Sequence, residues 1–170
     1  MKKTRAFFSF YFTEDRHRAR QVMAAWLSGD GREATPFISR EALLAMIEGG
    51  IPLIYQWIEE EIAKADVSVV LIGQGTAGRH FVEYEIAQSI RQRKPVLGVR
   101  VHGLPDEGGG RCQPGVSPLF PMFPIYDWDA DGGPEHLGAW GEAAISAQAG
   151  TTASFAPMFH AGLIRLPEGL

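Results

Sequence analysis

The stretch Asp66 to Ile90, DVSVVLIGQGTAGRHFVEYEIAQSI, constrains this chain more than any other. Val67, Val69, Val70, Leu71 and Ile72 form a nearly continuous β-branched and aliphatic run. A strand can carry such a run only when helices cover both of its faces, as in a parallel sheet. Gly73, Gly75 and Gly78 then interrupt the pattern, and from about Phe81 the period becomes helical. Val82, Ile86 and Ile90 fall at i, i+4 and i+8 on one face, with Glu83 and Glu85 on either side of the stripe. A carboxylate near the start of a helix that follows a central parallel strand lies close to the carboxyl edge of the sheet, where open α/β sheets bind ligands.

The rest of the chain supplies the partners that such a strand needs. Arg5 to Phe10 predicts a first strand, and a helix follows through Leu27. Ala19, Val22, Met23, Trp26 and Leu27 form its apolar stripe, Asp15 stands at its start as a cap or first-turn charge, and Arg16, Arg18 and Arg20 form a solvated side. Thr35 to Ile38 predicts a short second strand, and Ser39 an N-cap for a short helix ending near Gly49 and Gly50. A further amphipathic helix carries Ile54, Trp57, Ile58, Ile62 and Ala65, with Glu59, Glu60 and Glu61 facing solvent. After the central strand and helix come a strand over Pro95–Val101, a Gly- and Pro-rich loop over 102–124, a short strand at Ile125 and Tyr126, and a helix over Glu135–Gln148. A loop that long in a compact domain is functional or mobile. The alternation predicts a layered α/β domain with a central parallel sheet in the flavodoxin-like order 2-1-3-4-5. The domain spans 4–148, and the extension 149–170 has no clear period.

Composition narrows the function classes. The 170 residues are 45% hydrophobic and 21% charged, which suits one ordinary globular domain. A net charge of −4 argues against binding nucleic acid or anionic membrane through bulk charge. No window approaches the ~18 apolar residues of a membrane helix. The basic and apolar lead MKKTRAFFSFYF is too short for a secretory core, so the expected location is cytoplasmic. Cys112 is the single cysteine, which rules out an intrachain disulfide and a thiolate metal cluster. The five histidines lack HxxxH or HExxH spacing, so no metal site is expected. Serine-hydrolase GxSxG and Walker-type phosphate loops are absent.

Gly73 to Gly78 matches GxGxxG between a strand and a helix. It sits on the third strand, however, and Val101 and His102 stand where a ribose-binding acid belongs, so a tight turn explains the glycines better than a dinucleotide fingerprint. By pattern alone both Glu83 and Glu85 read as exposed acids in the first turns of a helix. Ser9, Phe10 and Tyr11 end the first strand. In a doubly wound sheet that strand neighbours the third, which brings them towards the loop carrying Gln74 and Thr76. Such polar and aromatic groups suit a ribose or a base.

Several segments together resemble the TIR-like proteins of the Thoeris antiphage systems. They are FFSFYFTED; KADVSVVLIG with Thr76 and then Phe81-Val82-x-Tyr84-Glu85-Ile86; PVLGVRVHGL; and IYDWDADGG before a Trp-containing helix. The resemblance covers roughly residues 4 to 147, and the strand-plus-VxYEI block is its most specific part. It implies a flavodoxin-like TIR fold and an enzyme that cleaves the nicotinamide–ribose bond of NAD. It further implies closure of the ADP-ribose part into a cyclic signal that activates a partner effector. On this reading NAD is a substrate, no cofactor is needed, Glu85 is the catalytic acid, and Ser9, Phe10, Tyr11, Gln74 and Thr76 line the substrate site. The family's motif has Trp where this chain has Phe81, a His is common where Tyr11 stands, and the acid often found after the second strand is not evident around Ile38 and Ser39. The competing expectation is a non-catalytic interaction or scaffold module, since many TIR domains act by self-association. A phospho-acceptor relative is disfavoured, because Ser9 and Tyr11 stand where an acidic pair is required.

Overall fold

A computed structural model describes residues 2–150. Five parallel strands form one sheet in the order β2-β1-β3-β4-β5. In chain order the elements are β1 (Thr4–Ser9), α1 (Phe12–Leu27), β2 (Arg32–Ala34), α2 (Arg40–Gly49), α3 (Ile51–Lys64), β3 (Val67–Ile72), α4 (His80–Arg91), β4 (Val96–Arg100), β5 (Ile125–Asp127) and α5 (Gly133–Ala149). This is the three-layer α/β arrangement that the sequence predicts. The last helix runs to Ala149, and residues 151–170 of the expected extension lie outside the described residues.

All six residues of β3 are buried, as a strand covered on both faces requires. Val67, Val69 and Leu71 face one layer with Val22, Trp26, Leu137 and Trp140 of α1 and α5. Val70 and Ile72 face the other with Val82, Ile86 and Ile90 of α4. Each such aliphatic side chain contributes about 1.5–3 kcal/mol through burial. β1 pairs with β3 so that Phe7 lies beside Ser68 and Ser9 beside Val70. Alternation along β1 sends Phe8 to the α1 side and Phe7 to the α3 side. Ser9, two residues beyond Phe7, therefore points to the α3–α4 layer.

Several boundaries and faces differ from the sequence reading. The second strand is Arg32–Ala34, not Thr35–Ile38. It is an edge strand held by backbone pairing and by the Arg5–Glu33 ion pair at 3.1 Å, so it needs no apolar signature. Ser39 does cap α2, accepting from the Ala42 amide at 3.1 Å. Asp15 does not cap α1; Tyr11 holds that position without a side-chain bond. Asp15 is instead buried, 3.0 Å from Arg18. Arg18 is buried too, against the expectation of a solvated side, because the 102–124 loop folds over α1. Its guanidinium donates to the carbonyls of Leu104 (2.9 Å), Glu14 (3.2 Å) and Gly110 (3.2 Å). Glu61 is likewise buried, with Lys64 2.6 Å away. Glu59 accepts from the Tyr84 hydroxyl rather than facing free solvent.

The long loop is tied down rather than loose. Besides Arg18, Gln21 donates to the Pro105 carbonyl at 2.9 Å and Arg100 to the Gly115 carbonyl at 2.8 Å, and Leu104 and Leu119 are buried. Among the described residues no helix is long and apolar enough to cross a membrane.

Burial pushes the Asp15 carboxyl above its ordinary range, and Arg18 pulls it back. Removing the cation leaves a buried acid without its partner, a loss of about 3–5 kcal/mol. Arg18→Met should lower the unfolding free energy from urea titration at neutral pH by that margin, with a matching fall in midpoint. The penalty should shrink as the pH falls, because burial raises the affinity of Asp15 for a proton. A midpoint unchanged at pH 7 would show that the Arg18 contacts do not hold the loop.

Candidate active site

Glu85 sits in the second turn of α4, whose Val82–Ile86–Ile90 stripe is fixed against β3 and β4. That anchoring rotates Glu85 towards the end of β1. Ser9 Oγ donates to Glu85 Oε2 at 2.5 Å. One turn further on, the Ser89 hydroxyl lies 2.8 Å from both the Glu85 carbonyl and the Ser68 hydroxyl, which ties this side of the helix to β3.

Two effects act on the Glu85 carboxyl in opposite directions. Removal from water disfavours the charged form, and the Ser9 hydrogen bond favours it. A hydrogen bond to a charged group is worth about 1.5–3 kcal/mol, whereas desolvating a carboxylate costs several. Burial wins, and the carboxyl is pushed up to about 8.

The carboxyl opens onto a cavity of about 580 Å³. Its walls come from the end of β1 (Phe7, Phe8, Phe10, Tyr11), from Thr35–Ile38, from Leu43 and Ile47 of α2, and from Ile54 and Trp57 of α3. The start of α4 closes it with Arg79, His80, Phe81 and Val82. Glu85 is the sole carboxylate among these lining residues. The aromatic groups brace one another. Phe10 lies 5.2 Å from Phe37 and 6.2 Å from Phe12, centroid to centroid, and the Arg79 guanidinium stacks 3.9 Å above the Tyr11 ring. Tyr55 and His80 share a short hydrogen bond.

The sequence-predicted residues divide into three groups. Glu85, Phe10 and Tyr11 meet at the cavity. Ser9 is buried beneath Glu85 and orients its carboxyl without forming part of the cavity wall. Gln74 and Thr76 are not among the residues that line this cavity. The β3–α4 turn leans towards α1, because the Thr76 hydroxyl accepts from the Gly73 amide at 2.8 Å and contacts Asp15 at 3.5 Å. A Cβ at Gly73 would run into the Asp15 carboxylate, so this glycine serves close packing of the turn. Gln74 lines a second cleft of about 730 Å³ with Arg16, His17, Asp106 and Cys112, which shares Thr13 with the first. Glu83 is exposed, as read.

Sequence reasoning missed Arg79, His80, Tyr55 and the Thr35–Ile38 wall. Tyr55 belongs to a helix stripe that reads as core, and Thr35–Ile38 reads as a strand. Phe81, in place of the family's Trp, lines the cavity, as does Tyr11 in place of a His. The wall at Ile38 is apolar. Among the described residues no cluster of three or more His, Cys, Asp or Glu side chains is placed to hold a metal.

A doubly wound parallel sheet in the order 2-1-3-4-5, with a carboxylate on the helix after β3 hydrogen-bonded to the end of β1 beside a cavity, is an arrangement compatible with a TIR-like domain. Residues 7–106 match the family described as "Thoeris protein ThsB, TIR-like domain", and the chain belongs to that family. It is 29% identical over 99 residues to the "Putative cyclic ADP-D-ribose synthase ThsB1" of Bacillus cereus (strain MSX-D12). The match takes in 58% of this chain and 45% of that protein, so it covers less than half of the relative's length. Among solved structures, the Clostridium botulinum CMP N-glycosidase BcmB aligns at TM-score 0.39 and 13% identity, over 57% of this chain and 69% of that one.

Because folding raises the affinity of Glu85 for its proton, this group favours the fold fully below its unfolded value near 4.5. That contribution is lost as pH rises through about 8. Glu85→Gln removes the ionisation. It should raise the melting temperature at pH 8.5 by roughly 2–4 °C for each kcal/mol recovered, and far less at pH 5. Equal shifts at the two pH values would contradict the burial of this carboxyl.

Proposed function

We propose that this chain is an NAD-processing enzyme of antiphage defence. It cleaves the bond between nicotinamide and ribose and closes the ADP-ribose part into a cyclic signal that acts on a partner effector. The observation that carries this reading is the single desolvated carboxyl of Glu85, held by Ser9 at the base of an aromatic-walled cavity. Membership of the ThsB family and the printed name of the Bacillus cereus relative support it.

The chemistry suits these residue types. The C1′–N bond breaks with its electron pair going to the pyridinium ring, so nicotinamide leaves neutral and no strong nucleophile is needed. Positive charge develops at C1′, related to the oxocarbenium character of glycoside hydrolysis. A fixed carboxylate beside C1′ stabilises that charge. In the free protein Glu85 is largely protonated at neutral pH. The pyridinium of NAD changes this. At ~4 Å and an effective dielectric of ~20, the two charges attract by about 4 kcal/mol, or roughly 3 pKa units. Binding the substrate therefore ionises the acid that the reaction needs. Apolar walls that keep water from C1′ favour attack there by a nucleophilic group of the same molecule, which gives up its proton as the new bond closes the cycle.

A second reading, an association module that binds nucleotide without turning it over, is favoured by one observation. Phe12, Leu44, Ile47, Ile51, Leu53 and Phe81 are exposed apolar side chains. Wild-type chain that binds NAD yet releases no nicotinamide in any oligomeric state would leave this reading standing and end the first.

Incubation with NAD and mass spectrometry of the products tests the proposal directly. Glu85→Gln should lower nicotinamide release by about 10²–10³-fold or more while the fold persists. Unchanged turnover in that variant would reject the role of Glu85. The wild-type kcat/KM should rise with pH about a midpoint near 8, the free carboxyl's value, and kcat should have its midpoint lower, because bound substrate favours the carboxylate. Ser9→Ala removes the bond that favours the charged form, so it should move the kcat/KM midpoint upward. A downward or absent shift would separate Ser9 from the titrating group.

A further inference from the structure

Glu85 accounts for one end of the cavity only. Among the lining residues Arg79 is the single arginine, no lysine joins it, and it stands at the rim on the residue that precedes α4. Its surroundings differ from those of a structural cation. Arg18 and Arg32 both end on carboxylates, at 3.0 and 2.6 Å. Arg79 forms no ion pair among the described residues. Its Nε donates to the Gly75 carbonyl at 2.8 Å, and one face of the guanidinium is covered by the Tyr11 ring at 3.9 Å. Those two contacts fix the plane of the group and leave the edge carrying both Nη atoms unused. A planar fork held that way is suited to phosphate oxygens, which it can engage two at a time.

The positions of the two charges select the ligand. Arg79 precedes Glu85 by six residues, a rise of about 9 Å along the helix. A molecule lying along the start of α4 thus meets an acid inside and a fixed cation at the mouth. A pyridinium riboside bearing a 5′-diphosphate has the complementary order, with its cation at C1′ and its anion beyond C5′. We propose that Arg79, steadied by Tyr11, binds the 5′-diphosphate of the substrate and makes the site select dinucleotides over the bare nucleoside. This rests on the reading of the cavity as an NAD site and adds the group that holds the far side of the scissile ribose. His80, the other basic residue on the wall, is engaged with Tyr55 and plays no part in the proposal.

The test compares nicotinamide release from NAD and from nicotinamide riboside, which lacks phosphate, by wild type, Arg79→Gln and Arg79→Lys. The ratio of kcat/KM for NAD to that for the riboside should fall about tenfold or more in Arg79→Gln, mainly through KM for NAD, as expected for losing one charge-assisted pair. Arg79→Lys should recover part of the ratio, since it keeps the charge and loses the fork. An unchanged ratio in Arg79→Gln overturns the proposal. Calorimetric titration with ADP-ribose and with adenosine separates this failure from failure of the enzyme reading. If wild type releases nicotinamide from neither substrate, ADP-ribose should still bind more weakly to Arg79→Gln, while adenosine discriminates far less between the two proteins. Equal ADP-ribose affinity in both, or none in wild type, overturns the role of Arg79. Matching melting curves exclude misfolding as the cause.

Discussion

The parallel register between β1 and β3 is the constraint on which the site depends. Ser9 lies beside Val70, so the last residue of β1 pairs two residues before the end of β3. Alternation then sends the Ser9 hydroxyl into the layer occupied by α4. The apolar stripe of α4 sets the rotation of that helix, and the acid one residue before Ile86 comes to face Ser9. A slip of one residue in β1 would turn Ser9 to the α1 face and leave Glu85 without its donor. Site geometry is thus a consequence of core packing.

The same packing sets the electrostatics. An acid on the exposed face of a helix has little reason to change its affinity for protons. Glu85 does change, because Phe7, Phe8, Trp57 and Phe81 and their neighbours enclose the space in front of it, with one hydroxyl as compensation. A carboxyl that would be more stable neutral is held at the cavity wall, where a bound cation would favour its charged form. Function of this kind draws on stability, and the fold recovers it elsewhere through the buried strand and the tethered loop. The 102–124 loop does not reach the cavity; Arg18, Gln21 and Arg100 hold it over the other half of the sheet edge.

Periodic features of the chain were legible and aperiodic ones were not. The run Val67–Ile72 announced a strand covered on both sides, and Val82, Ile86 and Ile90 announced the packed face of α4. Ser39 marked the start of α2 through the chemistry of its hydroxyl. The edge strand Arg32–Ala34 escaped notice, because a strand held by its backbone and by surface charges carries no apolar alternation. Arg18 was misread for a related reason, and Asp15, a first-turn acid as expected, proved buried for the same one. A helical wheel knows the face of its own helix but not which distant loop will cover that face. Adjacent strand ends put Gln74 and Thr76 near Glu85 on paper; the direction of the turn, set by Thr76 and Asp15, keeps them out of the cavity wall.

By itself the sequence determined the layered α/β fold, the order of its elements and, through a family motif, which glutamate to examine. Tertiary structure alone decided that Ser9 underlies this glutamate, that aromatic walls desolvate it and that Arg79 stands at the rim. The physical reason is one of range. Burial preferences repeat along a helix or strand and can be read locally, whereas hydrogen bonds and desolvation at Glu85 arise between residues 76 positions apart in the chain.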